Sequence, residues 1–205
     1  MSEYAYSDLL KYLNDVIPKK RALVGVDGFI DEIIRIVDKR YDGGHYTTIS
    51  TLEDFGNRII ESKGMSLNVE LISLKKKLGG NGPIYANALA KMGYTIDYLG
   101  TIGEDSVHPI FSEIFSKESK CVCVGEPAYT EAYEFNDGKL ISSRLDSLNT
   151  LSWSKIESKI NPDSIAAMIN ETNVITFNNW TMIPAMSNIW EHFLDEVVSK
   201  IKADI

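Results

Sequence analysis

The sequence predicts an α/β protein, with a parallel sheet flanked by helices and a small antiparallel flap of hairpin strands. Three observations predict it. Apolar, strand-like runs alternate with helical patterns at both ends of the chain. The middle carries hairpin signals, with Asp137 and Gly138 forming the turn pair inside "FNDGKLISS". Between them lies "LGGNGPIYANALAKMG", residues 78–93, where glycines stand directly before an alanine-rich helical pattern.

The elements follow in order. Ser7 opens a first helix whose apolar stripe is Leu9, Leu10, Leu13, Val16 and Ile17, and Pro18 stops it. "ALVGV", residues 22–26, reads as a buried strand. The following "DGFIDEIIRIV" is apolar in a way that suits either strand or helix, and "YDGGHYTTIS" is a loop. Ser50 or Thr51 opens a helix with Leu52, Phe55, Ile59 and Ile60 on one face, closed by Gly64. "SLNVELISLKKKL" alternates as a strand, residues 94–99 form another, and "CVCVGEP" and "AYTEAYEF" add two more. Residues 149–160 and 162–170 read as helices, and "NVITF", residues 173–177, as a buried strand. A last helix places Met186, Ile189, Trp190, Phe193, Val197 and Ile201 on one stripe. The chain is read as one domain over 1–205, with flap strands within 30–50, 65–78 and 120–145. An α/β sheet is expected to continue beyond Ile205, where the sequence stops straight after a helix.

A chain of 205 residues suffices for one sizeable core. Apolar content of 44% with 24% charged residues is that of a soluble globular protein. The net charge of −8 argues against nucleic acid, whose phosphates call for Lys and Arg. Cys121 and Cys123 are too few for a disulfide framework and point to one face of a strand as reduced thiols. The N-terminus shows no basic start followed by an apolar stretch, and no apolar run reaches membrane-spanning length. The expectation is a cytoplasmic protein that acts on a small molecule, with no membrane and no nucleic acid as partner. No G-x-x-x-x-G-K-[ST], full G-x-G-x-x-G after a strand, H-E-x-x-H, Cys–His cluster or G-x-S-x-G occurs, so no metal site is expected.

Two segments carry candidate chemistry. In the glycine stretch, Asn81 can cap the helix and Pro83 suits its first turn. Gly79 and Gly80 let the backbone approach another group closely, and the free N–H donors of a helix start can hold a polar or anionic ligand. The alternative is a tight turn that lets Ala86, Ala88 and Ala90 pack the helix on the sheet. In "VGVDGFIDEI", Asp27 directly follows a strand and Asp31 lies four residues on. Carboxylates at the carboxyl ends of parallel strands can accept hydrogen bonds from sugar hydroxyls. The alternative there is a capped turn at Asp27 and a solvent-facing Asp31. Lys75, Lys76 and Lys77 read as a solvated strand end.

Three segments together resemble the ribokinase-like (PfkB) carbohydrate kinase family. "VGVDGFIDEI" resembles its first strand with a sugar-binding aspartate, and "LGGNGPIYANALAKMGYTIDYLGTIGEDS" resembles its first signature. "YTEAYEFNDGKLI" resembles the hairpin lid over the sugar. The resemblance implies a ribokinase-like fold with a β-hairpin lid and ATP-dependent transfer of the γ-phosphate to a carbohydrate hydroxyl, with ATP and Mg²⁺ as cofactors. It places Gly79, Gly80 and Asn81 against the sugar. Asp31 matches the sugar-binding aspartate best, with Asp27 as the other candidate. Asn178 and Asn179 match a further polar sugar contact.

The chain departs from the family pattern at Ile84, where an Asn is usual, and at His108 or Pro109, where a Gly is usual. It also lacks a Gly-Ala-Gly-Asp-like second signature. The implied expectation is that this chain holds no catalytic residue, that the ATP-binding part lies outside it, and that it is inactive alone. The alternatives are a nucleoside kinase of the same family, with Ile84 and Phe29 facing a base, a non-catalytic sugar-binding module, or an unrelated α/β nucleotide-binding domain. Alternation over 129–135 suits a homodimer through the lid, or a hairpin covered by its own sheet.

Overall fold

A computed structural model describes residues 20–201. The helix expected over 7–17 lies outside the described residues. β1 (Arg21–Val26) is buried along Ala22–Val26, as an inner parallel strand covered on both faces must be. It pairs in parallel with β5 (Thr95–Gly100) on one edge and β9 (Val174–Phe177) on the other. β6 (Cys121–Cys123) extends β5, giving the order β6-β5-β1-β9.

The second sheet contains β2 (Phe29–Arg40), β3 (Tyr46–Thr48), β4 (Leu71–Gly79), β7 (Ala128–Glu134) and β8 (Lys139–Arg144). The ambiguous run after Asp27 is therefore a strand. This sheet is mixed rather than wholly antiparallel, because β2 and β7 run parallel. Both strands leave the main sheet at the same end, where Ala128 N–H donates to the Gly28 carbonyl at 2.8 Å. β4 lies antiparallel on β2, and β8 lies antiparallel on β7, where it is exposed along its whole length.

The helices are α1 (Leu52–Glu61), α2 (Asn81–Lys91), α3 (Asp146–Asn149), α4 (Trp153–Lys159), α5 (Pro162–Ile169) and α6 (Met186–His192). Alternate β-strand residues feed two apolar cores, one on each face of the main sheet. On one face, Val24, Ile96 and Tyr98 meet Ala86 and Leu89 of α2. On the other, Leu23 and Leu99 share a core with Ile156 of α4, Ile165 of α5 and Ile189 of α6. The stripe of the last helix is buried at Met186, Ile189, Phe193 and Val197. α1 opens at Thr51, whose hydroxyl accepts from Asp54 N–H at 3.0 Å, but it buries no residue.

Three local expectations are corrected. α2 is capped by Gly80 without a side-chain hydrogen bond, and Asn81 is its first residue. Its buried stripe is Gly82, Pro83, Ala86 and Leu89, while Ala88 faces solvent. The helix expected over 149–160 begins only at Trp153, where Ser152 caps α4 by accepting from Lys155 N–H, and Asn149 instead ends the short α3. The strand expected from Ser66 begins only at Leu71.

α5 has the clearest local stop-and-start chemistry. Asn161 Oδ1 accepts from Ser164 N–H at 2.8 Å, and Pro162 takes the first turn. Asn161→Ala is expected to lower stability by about 1 kcal/mol, read as a shift of the urea midpoint at constant slope. No helix among the described residues is long and apolar enough to cross a membrane.

Candidate functional site

The site begins where β1 ends. Asp27 is 0% exposed, yet its carboxylate is well partnered. Oδ2 accepts from the backbone N–H of Asn81 at 2.9 Å and from the Asn179 side-chain amide at 2.9 Å. Oδ1 accepts from Gly82 N–H at 2.8 Å. The Asp27 carbonyl accepts from the Tyr98 hydroxyl at 2.6 Å. Asp27 thus supplies the cap that Gly80 lacks, and a negative charge at the positive end of a helix is favourable.

The glycines make this approach physically attainable. A methyl at Gly82 would lie 2.2 Å from the Tyr98 hydroxyl and 2.7 Å from Asp27 Oδ1. One at Gly80 would lie 2.7 Å from Asp27 Oδ2, and Gly80 has φ 88°, which side chains rarely adopt. One at Gly79 would lie 2.2 Å from Asp31 Oδ1. Two aspartates occupy the space that side chains would need, so close packing accounts for the glycine run.

The two carboxylates differ in what surrounds them. Burial raises Asp27 above its ordinary 3.8, and the donors from Asn179, Gly82 and Asn81 pull it back only in part. Between the two pKa values the folded chain holds a proton that the unfolded chain has released. The Asp27 contribution to stability therefore declines as pH rises through that window. Burial raises Asp31 as well, opposed by the charge of Lys77, its neighbour across β2 and β4. Asp31 is half-buried, and no described residue donates a hydrogen bond to its carboxylate. Its acceptor capacity is unspent among the described residues, and the buried Thr101 hydroxyl just past β5 is likewise unpartnered there.

The structure brings Asp27, Gly79, Gly80, Asn81 and Asn179 into one cluster, with Asp31 joined to it across Gly79. Asn81 spends its backbone N–H on Asp27 while the residue itself is exposed. Asn179 stands in the left-handed region at φ 66° and spends its amide on Asp27. Asn178 is a strand-end tie, its N–H donating to the Gly25 carbonyl at 2.6 Å. Lys75, Lys76 and Lys77 are exposed, with Lys76 Nζ 3.4 Å from a Glu32 carboxylate oxygen.

Elsewhere the surface offers less. Burial lifts Cys121 to about 12 and raises Cys123, so both free thiols stay protonated. A cleft of about 540 Å³ between Asp38, Thr48, Asn57 and Arg58 shares no residue with the cluster. Among the described residues, no three His, Cys, Asp or Glu side chains gather to hold a metal ion.

A model of the family described as prokaryotic ketohexokinase matches residues 2–203. The chain belongs to the prokaryotic ketohexokinase family. A ketohexokinase of Haloferax volcanii is 29% identical over 179 residues, which is 86% of this chain and 47% of the relative. The chain therefore spans about half the length of the curated relative it matches. An Arabidopsis thaliana ribokinase, solved with ribose and ATP, superposes with a TM-score of 0.52 at 14% identity, over 90% of this chain and 51% of its own. A probable sugar kinase of Rhizobium etli gives 0.50 at 14% identity, over 90% and 54%. These likenesses show a ribokinase-like fold. The relatives are carbohydrate kinases, and the resemblance read from "VGVDGFIDEI", "LGGNGPIYANALAKMGYTIDYLGTIGEDS" and "YTEAYEFNDGKLI" together holds at family level.

In this ketohexokinase-family chain the sequence reading missed Gly82 and Tyr98. Gly82 lay inside the quoted stretch, but nothing local shows that a carboxylate from residue 27 occupies its side-chain space. Tyr98 carries a signal, a hydroxyl on a strand read as buried, which needs a partner.

Proposed function

We propose that these residues form the sugar-binding part of an ATP-dependent ketose kinase, which transfers the γ-phosphate of ATP to a ketohexose hydroxyl. The observation that carries the reading is Asp31, a desolvated carboxylate seated on Gly79 with its acceptor capacity unspent. Hydroxyls are the natural donors to such a group, and the bond to a charged acceptor is the stronger kind. In this reading Asp27 positions the backbone rather than touching the sugar. Gly79, Gly80, Asn81 and Asn179 line the sugar around Asp31, and the second sheet acts as a lid over it. Self-pairing is assigned to β8, an exposed edge that carries Leu140 and Ile141.

The 205 residues hold no Gly-Ala-Gly-Asp-like segment. These residues are accordingly assigned the sugar rather than the phosphates. The test is ADP release by the full-length protein with ATP, Mg²⁺ and D-fructose, alongside the 205-residue chain. The expected result is fructose-dependent release from the full-length protein and none from the chain alone. No release with any ketohexose would overturn the reading. Release with nucleosides instead would replace it with a nucleoside kinase, for which Ile84, 55% exposed on α2, is the residue placed to meet a base.

A further inference from the structure

Trp180 is 54% exposed, yet it is held from two sides. Its ring stacks on Trp190 with centroids 6.3 Å apart and planes at 17°. Trp190 is itself wedged against Phe177 at 5.0 Å and Phe193 at 5.4 Å. On the backbone side, Trp180 directly follows Asn179, whose left-handed conformation and amide bond to Asp27 fix the turn. A large indole is thus held rigidly with about half its surface in water, forgoing burial worth roughly 25 cal/mol per Å².

Its location matters as much as its exposure. Trp180 lies just past the carboxyl end of β9, where ligands of parallel sheets bind. Phe29 belongs to the same apolar core as Phe177, Trp190 and Phe193. Phe29 and Asp31 are two apart on β2 and share a face of it. Phe29, two residues before Asp31 on the same face of β2, thus belongs to the core that Trp180 borders through Trp190. Small-molecule sites combine those elements, an apolar or aromatic wall with a few placed polar groups.

We propose that Trp180 is a specificity-determining residue that stacks on the C–H face of the ketose ring while Asp31 takes its hydroxyls. This rests on the ketose-kinase reading above. The test uses the full-length protein with D-fructose as probe, in wild type, Trp180→Ala and Trp180→Phe. Trp180→Ala is expected to raise KM and Kd for fructose about tenfold, with kcat and the KM for ATP little changed. Trp180→Phe restores most of the affinity. Fructose changes the tryptophan emission of wild type, and that change is lost in Trp180→Phe.

Fructose affinity unchanged in Trp180→Ala would overturn the proposal, whether the variant then showed a raised KM for ATP or only a lower Tm. The first would make Trp180 a nucleotide contact, and the second a cover for another part of the protein. The wild-type protein separates the two levels. If it binds and phosphorylates fructose while the variants behave normally, only the role of Trp180 falls. If wild type shows no response to any ketose, the kinase reading falls first.

Discussion

Asp31→Ala is expected to abolish ketose binding while leaving the fold intact. The carboxylate is half-buried, with no described donor bound to it. In the proposed complex it accepts from two sugar hydroxyls. Hydrogen bonds to a charged group contribute about 1.5–3 kcal/mol each, so their loss weakens Kd by roughly a hundredfold or more. Folding does not depend on them. Desolvation already disfavours the charge, so its removal leaves Tm unchanged or slightly raised. Calorimetric titration with D-fructose and a thermal melt of the same sample decide the matter. Retained binding, or lost binding together with lost structure, would each refute the assignment.

The same group predicts a pH dependence. The Asp31 carboxyl stands above its ordinary 3.8, so it takes up a proton earlier on acidification than a free aspartate. Protonation converts an acceptor into a donor, and fructose affinity is expected to fall as pH drops through that raised value. Asp31→Asn should flatten this dependence.

Asp27→Ala is the second large effect, and it falls on stability. Three donors lose their acceptor: the first two N–H groups of α2 and the amide of Asn179. The buried Gly82 N–H left unpaired costs about 1–3 kcal/mol, the two part-buried donors cost less, and the helix also loses its cap. Removing a desolvated charge offsets part of this. The net expectation is a loss of about 3 kcal/mol, seen as a lower urea midpoint at unchanged slope. Asp27→Asn should fall between wild type and alanine, because its NH₂ turns toward N–H groups that need an acceptor. A loss below about 1 kcal/mol in Asp27→Ala would show that the three bonds are dispensable.

The parts legible in the sequence are those whose signal is local. β1, β5 and β9 are short strand-like runs with clear limits, and each forms within one residue of where the pattern places it. The glycine stretch announced a close approach, and close approach is what the structure has. What approaches was not legible, because the partner of Gly80 and Gly82 is Asp27, more than fifty positions away. For the same reason the local pattern points to Asn81 as a cap, since a helix start normally takes its cap from adjacent chain. The run after Asp27 fits two periods, and only pairing with β4 and β7 settles it as a strand. The parallel pairing of β2 and β7 depends on where both strands leave the main sheet, which no periodicity encodes.

The Asp27 cluster also bears on how this end of the molecule opens and closes. First-turn amides of a helix usually exchange readily with solvent, because helix ends fray. Here the amides of Asn81 and Gly82 are bound to a fully buried carboxylate on another element. Their exchange therefore requires separation of α2 from β1, and of β9 as well where Asn179 holds the same oxygen. The three segments are separated in sequence by 54 to 152 positions, so the cluster closes only after long-range contacts are made. The start of α2, a helix end of the kind that usually loosens first, is here tied to two elements distant in sequence.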